Sequence, residues 1–445
     1  MKTALKMKMS DPEQELKYLS RLPLLITFFF IGFYAIIIQT VVFRELLVVA
    51  LGNEIVFGIS LFNWLIGVFF GARLGSFRVK RTTRMLRTFT LSLLFMLIFS
   101  PLATSGIRLL YHLSRTPVGS HLHFLQVFYL SAACIIPLSF AIGFTFPIAS
   151  KLYTYRHNRT GDKVTFISKI YIVESLGSLL GGIVVSFILV EHFNSYTILS
   201  MVSLPLMFML AFLTFRTRHI ILFLIITAIG LVDLVTLMPV INRQINRITI
   251  QKRWQGFSSS ELVWIRDSRY QNLMLGKIHE QYNLYFNGQF STSFPEPTDN
   301  RIFSAHLICQ HPGPKKILII GEAISGLARH LLEYNINKLK SIELDKASIE
   351  GIKPFLPRPD QSIFSDPRFS IQIGDGRKAI REKNPENSSW DIIFINIAEP
   401  STLLLNRYYT QEFFRDAAAV LARDGILCLR ITSSENYSAG FVSQY

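Results

Sequence analysis

The first 240 residues of this 445-residue chain contain seven apolar runs. A helix that crosses a lipid bilayer needs about 20 consecutive apolar residues. Runs near that length lie at 24–43, 55–75, 86–105, 124–148, 170–190, 196–215 and 219–240. A cleaved signal peptide does not account for so many runs, and the first one lacks a small-residue cleavage pattern. The sequence therefore predicts an α-helical multi-pass domain over residues 1–245, placed in the lipid bilayer of the inner cell membrane.

The charged residues divide the chain at the same place. Residues 1–250 hold 23 Lys+Arg and 9 Asp+Glu, whereas residues 251–445 hold 23 and 21. The basic excess of the first part lies in short clusters between apolar runs. A nucleic-acid surface instead gathers its basic residues on one face of a folded domain. We therefore expect no nucleic-acid partner.

The basic clusters also predict an orientation in the membrane. They follow the second and fourth runs, which by the positive-inside rule makes those loops and the N-terminus cytoplasmic. Seven crossings would leave the chain beyond residue 240 outside the cell. The seventh run contains Asp233 and follows the sixth after only "RTRH", so one of the two is expected to be re-entrant or interfacial. On that basis we expect a cytoplasmic C-terminal domain, against the odd count of runs.

Polar and small residues within the fifth run have two interpretations. Gly177 and Gly181 have the small-xxx-small spacing that lets two helices pack closely. Glu174 lies on the adjacent turn, and a carboxylate within a membrane is costly unless it is paired or hydrated. It is expected either as a structural hydrogen-bonding group or as part of a transport or sensing site.

The three cysteines, Cys134, Cys309 and Cys428, share no metal-type spacing and have no nearby partner in sequence. We therefore expect neither a zinc site nor a disulfide framework.

The chain beyond the apolar runs predicts two further domains. Residues 256–312 alternate as short strands do, and Asn287-Gly288 is typical of a two-residue hairpin. From residue 313 to 445, strands alternate with helices, which is typical of a doubly wound, methyltransferase-like Rossmann sheet. The predicted strands are 316–320, 340–344, 369–373, 391–396 and 426–431. Since such sheets have further strands, we expect the sequence to be truncated at its C-terminus.

Candidate site residues follow four of these strands, where ligands of doubly wound sheets bind. The first strand runs through "KKILIIGEAISGLARHLLEY" into a turn with only two glycines, Gly321 and Gly326. Polar residues follow the next three strands. They are Glu343 and Asp345, then Asp375 with Gly376, then Asn396 and Glu399. Each acid alone is commonly a turn former or a helix cap, but acids at consecutive strand ends favour a nucleoside site.

Residues 264–437 resemble the spermidine synthase (polyamine aminopropyltransferase) family, and the fusion to apolar spans resembles its membrane-bound bacterial relatives. The resemblance lies in the order and spacing of seven segments. These are "SRYQ" (268–271), "HPGPKKILIIG" (311–321), "SIELD" (341–345), "DPRFSIQIGDGR" (366–377), "DIIFINIAEPS" (391–401), "YYTQEFF" (408–414) and "DGIL" (424–427).

The resemblance implies a site for decarboxylated S-adenosylmethionine, bound by Gln271, Glu343 and Asp375, with Gly321, Asp345 and Gly376 in the same site. It further implies transfer of an aminopropyl group to an amine such as putrescine, without a metal. Three positions depart from the family pattern. Ile324 and Asn396 replace aspartates, and Glu399 replaces the next one. Because an amide is not a general base near neutral pH, Glu399 is the expected base and Asn396 a neighbouring catalytic-site residue.

Two alternatives stay open. The chain could transfer another group from an S-adenosyl donor. It could also be a non-catalytic membrane sensor or transporter that retains the nucleoside-binding fold, with Glu174 and Asp233 as its intramembrane candidates. The oligomeric state is also open.

Overall fold

The computed structural model describes residues 21–82, 84–119, 122–157, 163–321, 323–324, 326–382, 389–397 and 403–429. Within these ranges the chain forms two compact units. The first holds residues up to 50 and 55–257, and the second holds Leu51–Glu54 together with the chain from Ser258 onward.

The first unit is helical. Its helices are α1 (Arg21–Val49), α2 (Glu54–Arg81), α3 (Met85–Arg108), α4 (Leu110–Ser114), α5 (Phe124–His157), α6 (Lys163–Val184), α7 (Val190–His192, after a π-turn at Val185–Leu189), α8 (Ser195–Arg216), α9 (Ile220–Thr236) and α10 (Pro239–Phe257). Among the described residues, six helices are long and apolar enough to cross a membrane, or seven if α9 and α10 count as one span bent by 79°. The seventh apolar run is therefore one arm of a bent pair.

The predicted close packing at Gly177 and Gly181 is present between α6 and α1. A Cβ atom built on Gly177 would lie 2.0 Å from the carbonyl oxygen of Phe29. One built on Gly181 would lie 2.7 Å from the carbonyl oxygen of Phe33, and one on Gly32 would lie 2.0 Å from that of Glu174. Both helices thus have glycine at the contact, which lets their backbones approach closely.

Two polar clusters lie inside the first unit. Glu45 of α1 pairs with Arg108 of α3 at 2.5 Å and with Arg253 of α10 at 2.7 Å, with all three side chains buried. Asp233 of α9 accepts a hydrogen bond from Ser203 of α8. Asp233 thereby joins two helices. Removing one partner of the first cluster would leave a buried charge uncompensated, which typically costs about 3–5 kcal/mol.

The α1–α6 contact predicts a difference between two neighbouring glycines. Gly177→Ala should lower the free energy of unfolding by about 1–3 kcal/mol, the usual cost of overpacking, because the new methyl would meet the Phe29 carbonyl. Gly182→Ala is the matched control, since a Cβ there meets nothing within 4 Å. Thermal unfolding of the two variants in detergent measures the difference. Equal stability of the variants would contradict the close contact.

The second unit contains a four-stranded antiparallel sheet and a five-stranded parallel sheet. The first has β1 (Glu261–Asp267), β2 (Asn272–Ile278), β3 (Gln281–Phe286) and β4 (Gln289–Phe294) in chain order. Asn287 and Gly288 join β3 to β4 with φ of +48° and +80°. These angles are those of the type I′ turn that Asn-Gly favours, so the predicted hairpin is confirmed.

The parallel sheet is doubly wound. Its strands are β5 (Lys316–Gly321), β6 (Lys338–Glu343), β7 (Phe369–Ile373), β8 (Trp390–Asn396) and β9 (Leu421–Leu429). Its helices are α11 (Pro297–Cys309, before β5), α12 (Leu327–Leu332), α13 (Lys346–Ile352), α14 (Arg358–Gln361), α15 (Gly376–Arg381), α16 (Leu403–Asn406) and α17 (Gln411–Ala418), with 3₁₀ turns at Lys353–Phe355 and Ser362–Ser365. The spatial order is β7-β6-β5-β8-β9. The order therefore reverses between β5 and β8, where ligands of such sheets bind.

Both faces of the parallel sheet are covered. Ile317 and Ile319 of β5 face one core, which also contains Leu284 and Phe294 of the antiparallel sheet. Leu318 and Ile320 face the other core. Alternate residues of one strand point to opposite faces, which explains why β5 is apolar throughout. The last strand begins at Leu421, five residues before its predicted start, and its pairing with β8 shifts register before the regular pairing begins at Ile426.

Candidate nucleoside-binding site

A cavity of about 220 Å³ lies at the carboxyl ends of β5, β6 and β8. Six residues predicted from the sequence line it. They are Gln271, Gly321, Glu343, Asp345, Gly376 and Asn396. The fold thus brings together residues that lie up to 125 positions apart in the chain. Glu399 lies outside the described residues.

The turn after β5 depends on glycine at two positions. Gly321 has φ of +102°, and a Cβ atom there would lie 2.3 Å from the carbonyl oxygen of Asn396. Gly326 has φ of +118° and starts α12. Between them Ile324 is only 2% exposed and packs in the core shared with the antiparallel sheet. Its side chain is therefore a core group.

The two acids that follow β6 have different surroundings. Glu343 is 8% exposed and accepts a long hydrogen bond of 3.4 Å from the Ser341 hydroxyl. Asp345 caps α13 by accepting from the Ala347 N–H at 3.0 Å. Its other oxygen accepts from the Ser268 hydroxyl at 2.6 Å. Asp345 thus holds a neighbouring turn in place, and it also lines the cavity with Glu343, where the sequence predicts a ribose site.

The Asp345 contact positions Gln271. Ser268 Oγ accepts hydrogen bonds from the backbone N–H groups of Tyr270 and Gln271, each at 3.1 Å. The segment "SRYQ" is therefore a turn built on one hydroxyl and fixed to the end of β6. Gln271 Nε2 also lies 3.5 Å from Asp345 Oδ2. This geometry places Gln271 at the same end of the cavity as Glu343.

The end of β7 carries a capped helix. Asp375 is the N-cap of α15 and accepts from the Arg377 N–H at 2.9 Å. It also pairs with Arg407 Nη1 at 2.7 Å. Partial burial opposes ionisation of Asp375, but the Arg407 guanidinium and the helix N–H groups together hold its pKa below the ordinary value. Gly376, the next residue, allows close packing, since a Cβ there would lie 2.6 Å from Ile320 Cγ2.

The sequence did not single out Arg407 or the segment Leu51–Glu54. Arg407 and the buried Tyr408 line the cavity, and Arg407 Nη2 donates to the Tyr408 hydroxyl at 3.1 Å. Leu51, Gly52 and Glu54 also line it. Arg407 directly precedes the segment "YYTQEFF", and this position next to a segment of the resemblance could have indicated it as a site residue. Nothing in the local sequence of Leu51–Glu54 connects it with residues more than 200 positions later.

The lowered pKa of Asp375 predicts a pH-dependent contribution to stability. A depressed folded-state pKa contributes stability above the unfolded pKa, about 3.9 for Asp, and this is lost as pH falls through the folded pKa. Asp375→Asn keeps a capping side chain but loses the charge. It should cost about 0.2–1 kcal/mol at pH 7, as exposed ion pairs do, and nothing below the folded pKa.

Asp375→Ala separates the cap from the ion pair. It should cost about 1 kcal/mol more than Asp375→Asn at every pH, because it removes the cap as well. Urea unfolding in detergent at a series of pH values, from neutral down to the acid limit of the folded protein, measures both contributions. A cost of Asp375→Asn that does not change with pH would contradict the assigned ion pair.

Comparisons with known proteins match the C-terminal part of the chain. Residues 302–440 match the spermine/spermidine synthase domain. The chain is similar to a polyamine aminopropyltransferase of Pyrobaculum arsenaticum, with 26% identity over 179 residues, covering 39% of this chain and 62% of the relative. It is also similar to one of Prochlorococcus marinus subsp. pastoris, with 34% identity over 122 residues, covering 27% and 42%. The chain thus spans about half the length of these relatives.

A solved spermidine synthase in complex with the transition-state analogue AdoDATO has 24% sequence identity and a TM-score of 0.34, covering 38% of this chain and 57% of that chain. Over residues 302–440, the resemblance to the spermidine synthase family that the sequence predicted is confirmed by the match to the spermine/spermidine synthase domain.

Proposed function

We propose that this protein is a membrane-anchored aminopropyltransferase that uses decarboxylated S-adenosylmethionine. The observation that carries the proposal is the cavity at the switch point of the sheet, with Glu343 and Gln271 on one side of it. The curated relatives are named polyamine aminopropyltransferases. In the proposed reaction an amine attacks the sulfonium-bound carbon of the aminopropyl group. A C–N bond forms, the C–S bond breaks, methylthioadenosine leaves and the ammonium proton passes to a base.

The nucleoside half of the cavity supports the proposed donor. The Glu343 carboxylate suits two ribose hydroxyl donors, and charge-assisted bonds of this kind are stronger than neutral ones. The Ser268 turn presents Gln271 next to it. The cap at Asp375 orients the α15 end beside the cavity. Gly374 lines the cavity there, and a Cβ atom on it would meet nothing within 4 Å, which leaves room for a planar base.

The amine half of the site is altered in this proposal. Asn396 lines the cavity where the family pattern has a catalytic aspartate, and an amide does not take up a proton near neutral pH. We assign the base to Glu399. Asn396 also favours a second candidate function, a non-catalytic sensor that binds the nucleoside and an amine without transferring a group.

Comparing Glu343→Gln with a control variant shows whether a loss of nucleoside binding is specific to the cavity or results from unfolding. Glu343→Gln should weaken binding of methylthioadenosine by about tenfold or more, because it removes a charged hydrogen-bond acceptor. Glu350→Gln is the matched control, on the exposed face of α13 and paired with Lys346 at 3.2 Å. Calorimetric titration of the detergent-purified chain measures the binding constants.

Mass spectrometry of the same protein with decarboxylated S-adenosylmethionine and a panel of amines, putrescine included, tests the transfer. We expect methylthioadenosine and an aminopropylated amine from the wild type and from Glu350→Gln, and much less from Glu343→Gln. Nucleoside binding without product from any amine would refute the transferase and favour the sensor. Absence of nucleoside binding would refute both.

We further propose that the first unit anchors the protein in a membrane by seven crossings, with domains at 1–245, 256–312 and 313–445. Leu51–Glu54 and the chain from Ser258 belong to one compact unit, so they lie on one side of the membrane. The chain between them must then cross an even number of times. Five single spans lie between them, and the bent pair α9–α10 supplies the sixth crossing.

Single-cysteine labelling tests this topology. In a background without the three native cysteines, Asn53→Cys and Gly313→Cys should be labelled from the same side, and Thr82→Cys from the opposite side. Labelling of residues 53 and 313 from opposite sides would contradict the seven crossings. A reagent that reaches only the cytoplasmic face identifies which side is cytoplasmic. The positive-inside rule predicts that residue 82 is labelled. A cytoplasmic C-terminal domain, which the proposed donor favours, predicts that residues 53 and 313 are labelled.

A further inference from the structure

The segment Leu51–Glu54 belongs to the compact unit that contains the cavity, and three of its four residues line that cavity. It follows α1 and ends at the first residue of α2, far in sequence from the strands that build the rest of the site. Leu51 has φ of +58° and Gly52 has φ of +77°. A left-handed conformation is costly for leucine, and such strain persists where the surrounding structure fixes it, often at functional sites.

Two contacts hold this segment against the cavity. The Leu403 backbone N–H, at the start of α16, donates to Glu54 Oε1 at 2.7 Å. A Cβ atom built on Gly52 would lie 3.5 Å from the Cβ of Asn287 in the β3–β4 turn. The segment therefore runs from the antiparallel sheet to the connection that follows β8. This is the side of the cavity on which Asn396 lies.

The carboxylates of the described lining are divided between two sides. Glu343 and Asp345 lie at the end of β6, and Asp345 is already engaged by Ser268 and Ala347. Glu54 is the carboxylate next to the β8 side. The apolar groups there belong to Phe286, Phe290, Ile397 and Leu405. An ammonium group entering this half would lose water, and a carboxylate is the partner that offsets that loss.

We propose that Glu54 binds the ammonium group of the acceptor amine in this half of the cavity. The proposal rests on the proposed function in taking an amine as the acceptor. The bond from Leu403 fixes Oε1, and a carboxylate has about four lone-pair sites, so the same side chain can accept further hydrogen bonds from an ammonium. Glu54 thus supplies a negative charge on the side of the cavity where Asn396 provides none.

The test is binding of putrescine to the full-length, detergent-purified chain in the presence of methylthioadenosine. Glu54→Gln keeps an oxygen that accepts from the Leu403 N–H, so it removes the charge and leaves the backbone contact. We expect its dissociation constant for putrescine to rise about tenfold to a hundredfold, the range for loss of a charged hydrogen bond. The dissociation constant for methylthioadenosine should stay unchanged. Glu350→Gln, outside the cavity, should match the wild type for both ligands.

Glu54→Asp provides a second variant that retains the charge. It should bind putrescine more tightly than Glu54→Gln, which a purely structural role of the Leu403 contact would not produce. Equal putrescine affinity of the wild type and Glu54→Gln would overturn the inference, whether or not the protein transfers aminopropyl groups. So would a wild type that binds methylthioadenosine but not putrescine. Loss of putrescine binding in Glu54→Gln, with a wild type that forms no product, would support the inference and refute the transferase.

Discussion

The site depends on the close approach of β5 and β8 at the point where the strand order reverses. Gly321 lies so near the Asn396 carbonyl that a Cβ atom would be 2.3 Å from it. After this contact the chain turns away from β5 towards Gly326. The connections that follow β5 and β8 therefore diverge, and the cavity lies between them. Glu343, Gly376 and Asn396 then reach one space because each follows a neighbouring strand. The polar residues of the site are therefore positioned by a steric contact between two backbones.

The same constraint explains why the loop after β5 is not freely adjustable. Ile324 sits in the core with Leu327 and Ile392, at 2% exposure. An aspartate placed there would bury a carboxylate among aliphatic side chains, which is costly without a partner. An aspartate at position 324 would thus disturb the packing of α12 and of the loop after β5.

Much of the fold could be predicted because it depends on local sequence patterns. The apolar runs predict the long helices, the strand periodicity predicts the strands, and Asn287-Gly288 predicts the hairpin turn. The role of Asp345 could not be predicted in this way, because an acid after a strand serves equally as a ligand or a cap. Its contact with Ser268, 77 residues earlier, is a tertiary contact with no local pattern. The place of Leu51–Glu54 likewise depends on tertiary contacts with no local pattern.

The distribution of charge around the cavity connects these points. Glu343 meets the needs of a nucleoside, whose hydroxyls are neutral, while an acceptor amine brings a positive charge that apolar walls do not stabilise. In the proposal, the carboxylate of Glu54, the first residue of α2, satisfies that requirement from outside the parallel sheet. The spermidine synthase-like sheet alone would then hold the donor but not the acceptor. The segment Leu51–Glu54, which belongs to the second unit although it follows α1 in sequence, would take part in recognition of the amine.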